Sequence, residues 1–207
     1  MSKKNSIKEQ ILLKIEEKLL EQSFNEIRMD TIAQELRISK RTIYEIFSSK
    51  DEIFETVIIR YTSFFENKFQ KIVNDIKKQK ISFFDGINEM MKLLSLNKKT
   101  SFTMTSEAMF KFPELITKIK KRRIETFSEL IDVAIENNLV RSDLNKKLFY
   151  LILQSTMDAL VNPKVIKEYE IDFFPAILEI HKTVIGGILT DSARKELSDF
   201  FNEKPLI

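Results

Sequence analysis

Between Arg37 and Lys50 the chain places four cations, Arg37, Lys40, Arg41 and Lys50, against one acid, Glu45. The surplus of +3 equals the net charge of the whole chain. Clustered Lys and Arg suit a partner rich in phosphate. At helical spacing, Ile43, Ile46 and Phe47 form one stripe, while Lys40, Arg41 and Tyr44 lie on the opposite, exposed side. Taken alone, such a face fits an ordinary solvated helix as well as a binding surface. Other chemistries have less to work with. With no cysteine there is no thiolate nucleophile, disulfide framework or Cys-based metal site. A single histidine, His181, leaves little for a Ser–His–Asp arrangement, and the acids form no metal-type cluster. No catalytic residue, metal or cofactor is expected, and the protein is not read as an enzyme.

The elements that position the basic face follow from pattern. The chain has only 3 Gly and 4 Pro, with no Pro before Pro113. So few turn formers in a chain rich in Lys, Glu, Ile, Leu and Phe predict an all-α fold. Ile7, Ile11, Leu12, Ile15 and Leu19 predict an amphipathic first helix ending near Gln22-Ser23. Met29, Ile32, Ala33 and Leu36 predict a short second helix. After a turn of about three residues at Arg37-Ile38, Ser39 is the expected N-cap of a third. Two short helices, a tight turn and a basic outer face describe a helix-turn-helix unit. Ser49 and Glu52 match a capping box that opens a long helix. Lys50 at its start is unfavourable for the isolated helix dipole, yet well placed for a DNA phosphate.

The ordered run Ile32-Ala33, Ile38-Ser39, Thr42-Ile43-Tyr44, Phe47 and Lys50 to Ile53 resembles the N-terminal domain of the tetracycline-repressor (TetR) family. That resemblance implies a helix-turn-helix DNA-binding domain over residues 1–50, followed by a helical ligand-binding and dimerisation domain over 51–207. It also implies a transcriptional regulator, read as a ligand-responsive repressor, acting as a homodimer on palindromic double-stranded DNA. A small-molecule effector of unknown identity goes with it, its pocket residues unassigned. By position, Thr42, Tyr44 and Lys50 are expected to anchor the DNA backbone, and Arg28 and Thr31 to add phosphate contacts. Ser39 opens the recognition helix, and Lys40 and Arg41 are expected to reach base edges. Two departures stand out. Arg37 and Arg41 occupy positions where the family often has Gly. A non-Gly residue in a left-handed turn costs about 1 kcal/mol. Arg37 therefore keeps open a second reading, a helical ligand-binding or protein-interaction module with a degenerate DNA-binding head.

Further helices are expected at about 83–97, 101–111, 113–138, 144–162 and 172–190. Most Phe and Met follow residue 60 and suit a helical core or a cavity for a flat, greasy ligand, with Gln154, Asp158 and Glu107 as polar hints. The basic run from Lys118 to Arg123 is read as a solvated face, and His181 as a surface or interface residue. Leu148 to Val161 and Phe173 to Leu189 are apolar enough to be buried or to pair with their copies in a dimer, with Gly186-Gly187 allowing close approach. The basic, charge-broken N-terminal stretch has neither signal-peptide nor membrane-span character, so a cytoplasmic protein is expected.

Overall fold

A computed structural model describes residues 3–95 and 106–203. Among them the regular elements are all helices: α1 (Lys3–Lys18), α2 (Met29–Glu35), α3 (Lys40–Tyr44), α4 (Lys50–Lys77) and α5 (Phe83–Ser95). Residues 106–111 form a further helix, α6. Then come α7 (Pro113–Glu136), α8 (Lys146–Leu160), α9 (Pro163–Glu168), α10 (Phe173–Gly186) and α11 (Asp191–Glu203). The all-α expectation holds. The chain divides into two compact units, residues 1–64 with 99–117, and residues 65–98 with 118–207.

In the first unit, the predicted stripes become one core. Ile11, Ile15, Phe24, Ile27, Ile32, Ile43, Phe47, Ile53 and Phe54 are all essentially inaccessible to solvent. The rings of Phe24 and Phe54 meet at a centroid distance of 4.4 Å. Burying a side chain of this size stabilises by about 1.5–3 kcal/mol, so this core decides the geometry of the short helices. Ion pairs at the rim fix α1 against its neighbours. Arg60 donates to Glu9 at 2.6 and 2.8 Å and to Glu16 at 2.9 Å. Lys18 pairs with Glu35 of α2 at 2.6 Å. The first helix stops at Lys18, short of the expected Gln22-Ser23, and continues as turns.

In the second unit, Ile72, Val73 and Ile76 of α4 pack with Phe83, Phe84, Ile87, Met90 and Met91 of α5, and with Leu130, Ile131, Val133 and Ala134 of α7. Gly86 is there because α5 approaches α4 closely. A Cβ at that position would sit 2.4 Å from Ile76 Cδ1. The helix expected over 172–190 instead ends at Gly186, and Gly187 and Ile188 turn the chain out of it. Leu189 forms an antiparallel bridge with Val140, with Arg141 N–H donating to Ile188 O at 3.0 Å and Thr190 N–H to Leu139 O at 2.9 Å. Two helices escaped the pattern reading. The short α9 starts at Pro163, whose N-cap Asn162 accepts from Lys164 N–H. The last, α11, starts beyond Thr190, whose hydroxyl accepts from Ala193 N–H. The first part of the expected 101–111 helix, Met104 included, and the end of the 83–97 helix lie outside the described residues.

Gly is scarce, and the four left-handed residues described are not Gly: Arg37, Gln79, Asn138 and Glu170, with φ between 51° and 56°. Each directly follows or closely trails a helix C-terminus. After α2, Arg37 N–H donates to Gln34 O and Ile38 N–H to Ala33 O, the paired bonds of a Schellman cap. These bonds satisfy carbonyls that the helix end would leave open, which offsets the strain of the left-handed residue.

Candidate nucleic-acid interface

The helix-turn-helix is formed. Its turn is tight because the Schellman bonds close α2 at Arg37. Ser39 then stops the chain in extended backbone (φ −80°, ψ 150°) and caps α3. The Ser39 hydroxyl oxygen accepts from Thr42 N–H at 3.0 Å and lies 2.8 Å from Thr42 Oγ1. Ser39 is thus engaged in holding the start of α3, and Thr42 is half-buried beside it. The one inward residue of α3 is Ile43, which is fully buried. Its burial fixes the rotation of the helix and turns Lys40, Arg41 and Tyr44 outward, as the spacing predicts.

Two of these outward residues carry intramolecular partners. Lys40 Nζ donates to Asp30 Oδ2 at 2.8 Å, and the carboxylate holds the ammonium above its ordinary pKa. Arg41 Nε donates to Glu45 Oε1 at 2.9 Å, with the side chain 87% exposed. That pairing uses one edge of the guanidinium; among the described residues its two terminal nitrogens have no partner. Solvent screens exposed pairs of this kind, so an incoming acceptor can displace or share them.

Lys50 begins α4, preceded by Ser49, whose hydroxyl accepts Glu52 N–H at 3.0 Å. The return bond of the expected capping box shifts by one residue: Glu52 accepts from Ser48 N–H at 2.5 Å and Ser48 Oγ at 2.6 Å. Lys50 is half-buried, with its ammonium 5.1 Å from the centroid of the Phe54 ring. Burial, and secondly the positive Lys111, hold its pKa below the ordinary lysine value. Arg28 and Thr31 are exposed at the start of α2. They line a recess of about 110 Å³ with Lys18, Gln22 and Glu26, small for an organic effector.

Sequence reasoning missed Lys111 and Asp51, which join this end of the unit through an ion pair of 2.6 Å. No local signal marks that pair, because its partners are far apart in the chain. Glu107, taken as a hint of a ligand pocket, instead accepts the backbone N–H of Phe24 in the first unit.

One reading of the second unit is corrected. His181 is not a surface residue: it is buried, and its Nδ1–H donates to Ile177 O at 2.7 Å. The run from Lys118 to Arg123 is largely the solvated face expected, with Lys118, Lys121, Arg122 and Arg123 exposed. Lys120 is half-buried and reaches Asp158 at 2.7 Å, and Arg122 lies 3.3 Å from Glu66. Arg123, although accessible to water, is enclosed by enough protein that desolvation pushes its pKa down. The helical period explains this, since three consecutive residues span most of a turn and cannot share one face. Among the described residues, no three acids and histidines gather as a metal site, and no helix is long and apolar enough to cross a membrane.

Comparison with known proteins agrees with this architecture. Residues 11–57 match the family described as bacterial regulatory proteins, tetR family. An uncharacterised HTH-type transcriptional regulator of Haemophilus influenzae is 25% identical over 181 residues, covering 85% of this chain and 91% of that protein. The structure of SmeT, the repressor of the Stenotrophomonas maltophilia multidrug efflux pump SmeDEF, superposes with a TM-score of 0.68 at 14% identity, covering 90% of this chain and 92% of that one. FadR of Bacillus subtilis, a transcriptional regulator solved in complex with stearoyl-CoA, gives a TM-score of 0.64 at 17% identity, covering 86% and 98%. Residues 11–57 thus carry a helix-turn-helix of the kind found in bacterial regulatory proteins of the tetR family, and the chain as a whole shares the all-helical fold of these regulators.

Proposed function

We propose that the protein is a ligand-responsive transcriptional repressor that binds a partly palindromic operator as a homodimer in the cytoplasm. The observation that carries this reading is the formed recognition helix, whose exposed face presents Lys40, Arg41 and Tyr44 while Ile43 anchors it. Lys40 and Arg41 read base edges in the major groove; Thr42, Tyr44 and Lys50 hold the backbone, Arg28 and Thr31 add phosphate contacts, and Ser39 sets the start of the helix. The degenerate-head alternative loses its main support, because Arg37 takes the left-handed conformation and the turn closes around it.

Dimerisation is supported by the outer face of α8. Leu148, Leu151 and Ile152 are 55–61% exposed, and Ser155 and Ala159 continue the same stripe. A contiguous apolar stripe on a helix calls for a partner. On α10, which packs with α8, a Cβ at Gly186 would meet nothing within 4 Å. A two-fold dimer would present two recognition helices to successive major grooves, about 34 Å apart or a multiple of that.

An effector in the second unit is supported by a polar group left unsatisfied there. Asn88 is buried with Oδ1 lacking a hydrogen-bond partner. Release of DNA requires the effector to bind the DNA-incompetent state better; a coupling of about 1–3 kcal/mol changes operator affinity about 5–150-fold. The repressor assignment leans on the likeness to SmeT. Binding to duplex DNA at increasing salt, in excess competitor, tests the function: specific binding falls steeply with salt yet survives competition. A purely protein-binding module gives no such retained complex.

A further inference from the structure

The first turn of α4 carries a concentration of charge that the recognition helix does not explain. Lys50 Nζ lies 5.1 Å from the centroid of the Phe54 ring, and Lys111 Nζ lies 5.6 Å from the same centroid. Lys111 also lies 5.6 Å from the Phe112 ring and pairs with Asp51 at 2.6 Å. Two ammonium groups and one carboxylate leave a surplus of one positive charge. Without Lys111, the neighbours Lys50 and Asp51 cancel, and the acid would repel a phosphate at this point.

The placement of Lys111 is built into the unit. Ala108, Phe112 and Ile116 are buried, and Glu107 accepts Phe24 N–H at 2.8 Å, which seats α6 in the same compact unit as the helix-turn-helix. Each ammonium rests one side on an aromatic ring, where contact is favourable but donates no hydrogen bond. An ammonium has three donors, and Lys111 spends one on Asp51. Lys50 makes no ion pair among the described residues. Like charges held together are costly until an anion joins them, and Lys111 does lower the proton affinity of Lys50, second to burial.

We propose that Lys111 joins Lys50 in clamping one DNA backbone phosphate at the start of α4, so that the DNA-binding surface includes a residue outside the helix-turn-helix. This rests on the DNA-binding reading above. The pair reads no sequence; it adds affinity and fixes register.

The test is anisotropy titration of the full-length protein with a selected duplex and with a random duplex, across a range of salt. The variants are Lys111→Gln, Lys111→Met (which keeps the aliphatic stem over Phe54), Lys111→Arg, Lys50→Ala and the double variant Lys111→Gln with Asp51→Asn; thermal melts select those that fold. The expected result is that Lys111→Gln and Lys111→Met weaken both duplexes and reduce the salt slope by about 1, as Lys50→Ala does, while Lys111→Arg keeps the slope. A wild-type slope in folded Lys111→Gln or Lys111→Met overturns the proposal. So does recovery of the wild-type slope in the double variant, which would make Lys111 a mere neutraliser of Asp51. Failure of the wild-type protein to bind any duplex would overturn the DNA-binding reading as well, an outcome distinct from normal wild-type binding with an indifferent Lys111.

Discussion

The carboxylate of Glu107 accepts the backbone N–H of Phe24 at 2.8 Å, across 83 positions of sequence. Phe24 is itself buried against Phe54, so this bond ties α6 to the centre of the first unit's core. Truncating Glu107 to Ala leaves a part-buried N–H without its acceptor, which costs about 1–3 kcal/mol. Urea unfolding of Glu107→Ala is expected to show that loss, and Glu107→Gln, which keeps an oxygen acceptor, a smaller one. Equal stability of all three proteins would mean that water replaces the bond without penalty.

Arg37 holds φ at 54° in the turn of the helix-turn-helix. Arg37→Gly relieves the left-handed strain but gives the unfolded chain more freedom, so a net gain of up to about 1 kcal/mol is expected. Arg37→Val, β-branched at the same φ, should lose more than about 1 kcal/mol. Chemical denaturation of the pair checks this. A stabilising Arg37→Val would show that the turn does not keep its left-handed residue in solution.

Leu151 is 61% exposed on the α8 stripe. Leu151→Glu is therefore nearly free of cost to a single chain but places a desolvated charge in the proposed dimer interface. Sedimentation should move from dimer to monomer with the melting of the fold little changed. If Leu151→Glu stays dimeric, α8 is not the interface.

His181 gives the protein a pH dependence of definite sign. Burial, and then Arg123, hold its pKa below the ordinary 6.5, and in the fold the proton sits on Nδ1 facing Ile177 O. The unfolded chain takes up a proton near pH 6.5 while the folded chain resists it, so stability is full above that pH and falls as pH drops below it. Comparing the urea midpoints of wild type and His181→Gln between pH 7.5 and 5.5 isolates this group. The wild type should lose more stability over that range. Parallel curves would place the imidazole in contact with water.

Much of the first unit was legible because its signals are local. The Ser39 cap, the Ile43 anchor and the spacing of α2 depend on residues within a few positions of each other, and the ordered motif through Ile53 fixes their arrangement. The second unit was less so. The Val140–Leu189 bridge that ends α10 is set by a partner distant in sequence, and α9 and α11 hide behind the apolar run that precedes them. His181 reads as exposed from its neighbours Glu179 and Lys182, and only packing shows it buried. The same limit applies to Lys111 and Asp51, whose pairing is tertiary and leaves no periodic trace.

The most direct test of the central claim is selection of bound sequences from random duplex DNA by the purified protein, at moderate salt with excess competitor, repeated with Arg41→Ala. Recovery of a two-fold symmetric site is expected, with Arg41→Ala relaxing the preference at one base position in each half by about 1–3 kcal/mol. Enrichment of no sequence by a folded dimer would contradict the account and point to a protein-interaction module. Uniform weakening by Arg41→Ala would contradict the base-reading role of that residue.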